Sequence, residues 1–130
     1  MKRTSILIFG ESKRGEFLKL FQINTLPDLS TFLGEPTTSG IGIHMAIQSL
    51  LFEKSVLFIK VGEEGYDIDH YSLGFKEIDN NPHLLIDAIA LPGVGSNEIL
   101  KKASLLAKKK KALLILREKD LYDFITQSKL

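Results

Sequence analysis

The chain contains no cysteine and no tryptophan, and its charges nearly cancel. Without cysteine there is no disulfide framework, no thiolate metal site and no cysteine nucleophile, which is compatible with a reducing compartment. The formal net charge of +1 at pH 7 gives no overall attraction to nucleic acid or to an anionic membrane. No apolar run approaches the roughly 18 residues of a membrane span, and the apolar segment after Met1-Lys2-Arg3 is too short for a signal peptide. We therefore expect a cytoplasmic protein without nucleic-acid or membrane partners.

What is present is the composition of an ordinary folded domain. The 130 residues are 44% hydrophobic and 25% charged, with ten glycines and four prolines. These proportions exclude disordered, collagen-like and low-complexity chains. Because the chain has the usual length of one domain and shows no linker or internal repeat, we predict a single domain over residues 1–130.

Four short apolar runs predict buried strands. They are continuous rather than alternating, which is typical of strands covered on both faces, and they span residues 5–9, 55–61, 84–91 and 112–116. Segments of helical period separate them, at residues 40–52, 69–78 and 97–110. This alternation predicts an α/β fold with a mostly parallel, possibly mixed, central sheet of four or five strands flanked by helices.

Local signals mark two further helices and leave one segment open. Thr25 can cap a helix that Gly34 ends, and Asp120 is the expected N-cap of a terminal helix over residues 120–127. Residues 11–24 are ambiguous, because part of the segment could continue a helix while residues 21–24 alternate like an edge strand. Propensity alone favours the helix.

Two glycine turns follow predicted strands, where a phosphate could bind to backbone amides. The first, from Gly10 to Gly15, has the spacing of a P-loop, but Glu16-Phe17 replaces the required lysine and hydroxyl residue. The second, from Pro92 to Ser96, lacks the third glycine of a dinucleotide-binding motif. A tight turn that needs glycine torsions explains this second segment more simply.

One acidic segment contains the densest set of possible metal ligands, namely Glu63, Glu64, Asp67, Asp69 and His70. Hard divalent ions favour such oxygen-rich groups, but the spacing fits no calcium loop. Solvated carboxylates, with Asp69 as the N-cap of the next helix, explain the same residues. We therefore assign no metal-binding residue and no cofactor.

The remaining polar candidates also have structural interpretations. His44 and His83 have no serine nucleophile in a recognisable motif, so we assign no catalytic residue; a hydrolase that uses His44 and the acidic segment is a further hypothesis. Lys108 to Lys111 lie at a helix C-terminus, where they complement the helix dipole. Asp87 interrupts an apolar run. At a central, inward position it would need a partner, and we expect it instead at the start of the strand, facing a loop amide.

Taken in order, several segments resemble the core of contractile tail sheath proteins, the family that forms the contractile sleeve of phage tails and related injection machines. The matching segments are Thr4 to Gly15 with its Arg14-Gly15 turn, Ile23 to Gly34, Ile43 to Val61, Asp69-His70-Tyr71 with Leu73-Gly74-Phe75, and Ile89-Ala90-Leu91-Pro92-Gly93-Val94. The strand at Leu113 to Leu116 follows in register. The likeness covers roughly residues 4–118 and depends on the order of the segments rather than on one specific motif.

The resemblance implies a tail-sheath-core-like fold and a non-enzymatic role. It implies that residues 12–19 form an extended loop and that residues 20–24 form an edge strand. Family subunits carry arms at both ends that pair as strands with neighbours, and the present residues correspond to the core without those arms. The function expected from the resemblance is protein–protein assembly, with further copies of itself or with sheath-like subunits. The alternative is a small Rossmann-like module that binds a nucleotide or phosphate at the two glycine turns.

Overall fold

A computed structural model describes residues 3–127, and Met1, Lys2 and residues 128–130 lie outside that range. The fold is α/β, as predicted, with five strands in the order β2-β3-β1-β4-β5. The strands are β1 (Ser5–Gly10), β2 (Leu20–Ile23), β3 (Ser55–Lys60), β4 (Ala88–Ala90) and β5 (Leu113–Ile115). The sheet is mixed, because β2 runs antiparallel to β3 while the other neighbouring strands are parallel.

Five helices of the described residues cover the two faces of the sheet. They are α1 (Leu26–Leu33), α2 (Gly42–Leu51), α3 (Ile68–Asp79), α4 (Asn97–Lys110) and α5 (Glu118–Thr126). Ile6 and Ile8 of β1 pack towards α1, α2 and α5, whereas Leu7 and Phe9 pack towards α3 and α4. This division confirms that β1 is covered on both faces, as its unbroken apolar sequence predicts.

Residues 11–24, whose sequence is ambiguous between a helix and a strand, are not helical. Residues 11–19 form no helix, and β2 pairs with β3 in a register that places Phe21 opposite Phe58. The alternating burial of β2, with Phe21 and Ile23 inside and Gln22 outside, is the pattern of an edge strand. Propensity therefore gave the wrong prediction here, because strand pairing and side-chain burial outweigh the intrinsic helical preference.

Three predicted boundaries are wrong in detail. The strand expected at 84–91 forms only at Ala88–Ala90, because its neighbour β1 begins at Ser5 and offers no earlier partner. Asp67, not Asp69, is the N-cap of α3, since its side chain accepts the amide of His70. Asp120 does not cap α5, which begins after Arg117; Asp120 forms an ion pair with that arginine instead, at 3.1 Å.

Other local predictions are confirmed. Thr25 caps α1, and α4 has the predicted bounds, with Ser96 as its N-cap. Asp87 lies directly before β4, at the start of the strand as predicted, but the amide that it accepts, at 2.8 Å, belongs to Ser5 of β1 and not to a loop. Within residues 3–127, no helix has both the length and the apolar character that crossing a membrane requires.

Candidate functional site at the carboxyl end of the sheet

The loops that follow β1, β3 and β4 meet at the carboxyl end of the parallel strands. In open α/β sheets this edge is where ligands usually bind, outside the point at which the strand order reverses. Here the loop after β3 crosses to the loop after β4, so closely that a methyl group on Gly65 would collide with the Gly93 backbone. Gly65 has φ +90° and Gly93 has φ +77°, torsions that favour glycine.

The N-terminus of α2 also faces this edge and has no capping side chain of its own. Ile41 occupies the N-cap position and makes no side-chain hydrogen bond. The carboxylate of Glu64 replaces the missing cap from a distant position in the sequence. It accepts the amide of Ile41 at 2.7 Å and that of Gly42 at 3.1 Å. A negative charge at this position also complements the positive end of the helix dipole.

Glu64 and Glu11 form a reciprocal pair between the loops after β3 and β1. The Glu11 amide donates to the Glu64 carboxylate at 3.0 Å, and the Glu64 amide donates to the Glu11 carboxylate at 2.9 Å. The site is tightly built, because a methyl group on Gly10 would lie 3.0 Å from the Gly42 α carbon and 2.8 Å from a Glu64 carboxylate oxygen. We call the contacts of Glu11, Glu64 and the first amides of α2 the carboxylate clamp.

Tyr71 supports the clamp from the core. Its ring is fully buried and stacks on Phe9 with ring centroids 5.3 Å apart. Its hydroxyl oxygen accepts the amide of Gly65 at 2.7 Å. Burial is the main cause that raises the pKa of the Tyr71 phenol well above its usual value, and the nearby Glu64, Glu11 and Asp67 add to the shift.

His70 organises the other side of the same loop. The amide of Gly62 donates to His70 Nδ1 at 2.7 Å, and an oxygen of Asp67 lies 3.3 Å from that nitrogen. The imidazole ring also packs against Phe17, with centroids 5.3 Å apart. The ammonium group of Lys60 lies 4.6 Å from the centre of the Phe17 ring. These contacts join the loop after β1 to the start of α3.

The acidic segment is therefore only in part the set of solvated carboxylates that its sequence predicts. Glu63 and Asp69 are exposed, as expected for solvated carboxylates, but Glu64 is half-buried in the clamp. In the part of the chain that the structure describes, no three His, Asp or Glu side chains are grouped so that they could share a metal ion. The one sequence signal for the role of Glu64 is the absence of a capping residue before Gly42.

The two glycine turns do not have the same environment. Gly15 has φ +96°, but the chain after it is not helical, unlike the chain that follows a P-loop. The turn from Pro92 to Ser96 does lead into α4, and its Ser96 hydroxyl accepts the amide of Ile99. The amides at the start of α2, which point to the carboxyl edge, are already bonded to the Glu64 carboxylate.

The remaining candidates make none of the contacts of the clamp. His44, in the first turn of α2, and His83, before β4, are both exposed. Of the lysines after Ala107, Lys108 and Lys111 are exposed, while Lys109 bonds Asp79 at 3.1 Å. Lys110 is half-buried and donates to the carbonyls of Asn81 and Leu84, so it joins α4 to the segment before β4. The helix-dipole interpretation therefore accounts for only part of their role.

The edge strand β2 is the second candidate site. In the sheet formed by the described residues it has a partner on one side only, β3. Exposed aromatic rings lie beside it: Phe32 packs against Phe21 with centroids 5.9 Å apart, and Phe17 is 53% exposed.

In comparisons of the chain with known protein families, with curated proteins and with solved structures, no match was found.

Proposed function

We propose that this chain is a non-enzymatic assembly module that resembles the core of a contractile tail sheath subunit and binds other proteins through the β2 edge. The observation that carries the proposal is that, in the sheet of residues 3–127, β2 is paired on one side only. An edge strand presents backbone donors and acceptors that a strand from another chain can pair with. The loop and strand at residues 12–24, which the resemblance implied against local propensity, support the same proposal.

The side chains around β2 are suited to such pairing. Phe21 and Ile23 anchor the strand in the core, so that its backbone is held in position before a partner arrives. Phe32 and Phe17 remain exposed beside it and can add apolar area to an interface. We therefore expect the incoming strand to gain both backbone hydrogen bonds and apolar contacts.

Nucleotide or phosphate binding is the weaker proposal. The geometry that would favour it is a helix N-terminus facing the carboxyl edge of a parallel sheet. At α2 that position is taken by Glu64, which accepts three backbone amides. A phosphate would have to displace this carboxylate and also overcome its charge.

Amide hydrogen exchange of the 15N-labelled chain tests the edge proposal. Because an antiparallel neighbour takes the amides of alternate residues, about half of the β2 amides should exchange fast in the monomer. On self-association, or on addition of a recombinant contractile tail sheath subunit, these amides should become protected. The β2 amides bonded to β3 are the internal control, since they should be protected throughout.

A matched pair of variants tests the apolar contribution. Phe32→Ser should weaken association, whereas Phe52→Ser should not, although both rings are 41% exposed. Phe52 follows α2 and contacts Tyr122 rather than β2. Fast exchange of the outward β2 amides at all chain concentrations and with excess sheath subunit would contradict the proposal.

A further inference from the structure

The most exposed aromatic ring of the described residues is that of Tyr66, which is 69% exposed in the middle of the acidic segment. The turn that carries it is closed by hydrogen bonds from the amides of Tyr66 and Asp67 to the Glu63 carbonyl, at 3.0 and 3.1 Å. The neighbouring Glu64 and Gly65 are held by the carboxylate clamp and by Tyr71. Tyr66 is thus presented on a turn fixed from both sides, which reduces the entropy lost when it binds.

The charge around Tyr66 has one sign. Glu63 and Asp69 are exposed on either side of it, and residues 61–75 contain no lysine or arginine. We call Glu63 to Asp69 the tyrosine turn. It combines an aromatic ring with carboxylates, so its binding partner should offer an apolar surface bordered by cations.

A surface of that kind lies between α3 and α4. A groove of about 450 Å³ there contains Leu73 and Leu105, whose side chains are 51% and 65% exposed. Lysines border it: Lys76 from α3, and Lys102 and Lys109 from α4. We call it the lysine groove.

Lysines are concentrated at two places along α4, in its second turn and at its C-terminus. Residues 97–111 contain six lysines and one glutamate, in a chain whose formal net charge is only +1. Two of the lysines cross to α3: Lys102 donates to the Ser72 hydroxyl at 2.8 Å, and Lys109 to Asp79 at 3.1 Å. These are exposed contacts, which a carboxylate from another molecule can replace at small cost.

We propose that the tyrosine turn of one copy of this chain docks into the lysine groove of a second copy. Tyr66 contacts Leu73 and Leu105, Glu63 and Asp69 face the lysines at the rim, and a lysine ammonium group over the ring adds a cation–π contact. The inference deepens the proposed assembly function, because it names a second copy as a partner. The two surfaces consist of different residues, so each copy can use both at once, and the contact joins copies head to tail into an open chain.

Complementation between two variants tests the head-to-tail contact. Tyr66→Ser removes the ring and keeps the groove, whereas Leu105→Glu blocks the groove and keeps the turn; both positions are exposed, so folding should be preserved. In analytical ultracentrifugation the average mass of the wild type should rise with protein concentration. Each variant alone should associate with an affinity at least about tenfold lower than that of the wild type. Mixed together, the two should form a one-to-one heterodimer that dissociates as salt is raised.

Two exposed positions elsewhere provide controls. Tyr122→Ser and Leu85→Glu make the same chemical changes outside both surfaces and should associate like the wild type. Head-to-tail docking would be overturned if the wild type and both test variants associated equally. It would also be overturned if the mixture of the two variants stayed monomeric at a concentration at which the wild type associates. A wild type that stays monomeric at millimolar concentration would overturn it too, which would point to a different protein in the groove.

The same samples separate this inference from the proposed function. Protection of the outward β2 amides reports on the edge strand alone, so edge assembly can be supported while head-to-tail docking fails. If Tyr66→Ser loses association while the outward β2 amides of the wild type are never protected, head-to-tail docking is supported and edge assembly fails.

Discussion

Removing the carboxylate of Glu64 should cost far more stability than removing any other carboxylate of the acidic segment. Glu64 accepts the amides of Glu11, Ile41 and Gly42 at 3.0, 2.7 and 3.1 Å. Two of these amides are partly buried and the Ile41 amide is exposed, so water can replace the carboxylate fully only at Ile41. A hydrogen bond to a charged group contributes about 1.5–3 kcal/mol when buried. Taking the lower limit of that range for each of the two partly buried bonds, Glu64→Ala should lower the free energy of unfolding by about 3 kcal/mol.

Glu64→Gln should fall between Glu64→Ala and the wild type. Its carbonyl oxygen can still accept the two partly buried amides, but as a neutral acceptor, which forms bonds about half as strong. Its amino group would face the Ile41 amide, donor against donor. We expect a loss of about 1–1.5 kcal/mol.

Urea denaturation at low protein concentration measures these losses as shifts in midpoint at an unchanged slope. Glu63→Ala is the matched control, since Glu63 is the exposed neighbour, and it should stay within about 0.5 kcal/mol of the wild type. If Glu64→Ala and Glu63→Ala had equal stability, the carboxylate clamp would not contribute as the distances indicate. In that case Glu64 would also not hold the tyrosine turn in place.

Three further predictions concern the core behind the clamp. Absorbance at 295 nm should show that the Tyr71 phenol stays protonated in the native protein at about pH 10, the ordinary value for a tyrosine side chain. Because burial raises the pKa of Tyr71 above its unfolded value, its contribution to stability is complete below about pH 10 and is lost as pH rises further; ionisation of the Tyr71 phenol near pH 10 in the native protein would contradict this. In thermal denaturation Gly65→Ala should destabilise the protein by at least about 2 kcal/mol, because φ is +90° and the new methyl group meets backbone atoms. Gly95→Ala is the control; it has open space around it and should be within about 1 kcal/mol of the wild type. Gly74→Ala should cost about 1–3 kcal/mol in the same assay, because its methyl group would press on the buried Phe9 ring, and an unchanged melting temperature would show that this ring can move.

The sequence by itself determined the α/β class and most of the elements. Continuous apolar runs such as the one at β1 have to be covered on both faces, and the caps at Thr25 and Ser96 are local hydrogen bonds that short-range sequence encodes. Strand ends were less predictable, because β4 can be no longer than the neighbours that pair with it.

Local propensity and periodicity could not decide residues 11–24, and only the tertiary structure decided the role of Glu64. β2 forms because β3 offers a partner and the core accepts Phe21 and Ile23, although the local preference is helical. Glu64 caps α2 because folding brings together two segments that lie 22 residues apart, a contact that no periodicity or spacing predicts. The apolar groove bordered by lysines between α3 and α4 arises in the same way, since neither helix alone encloses it.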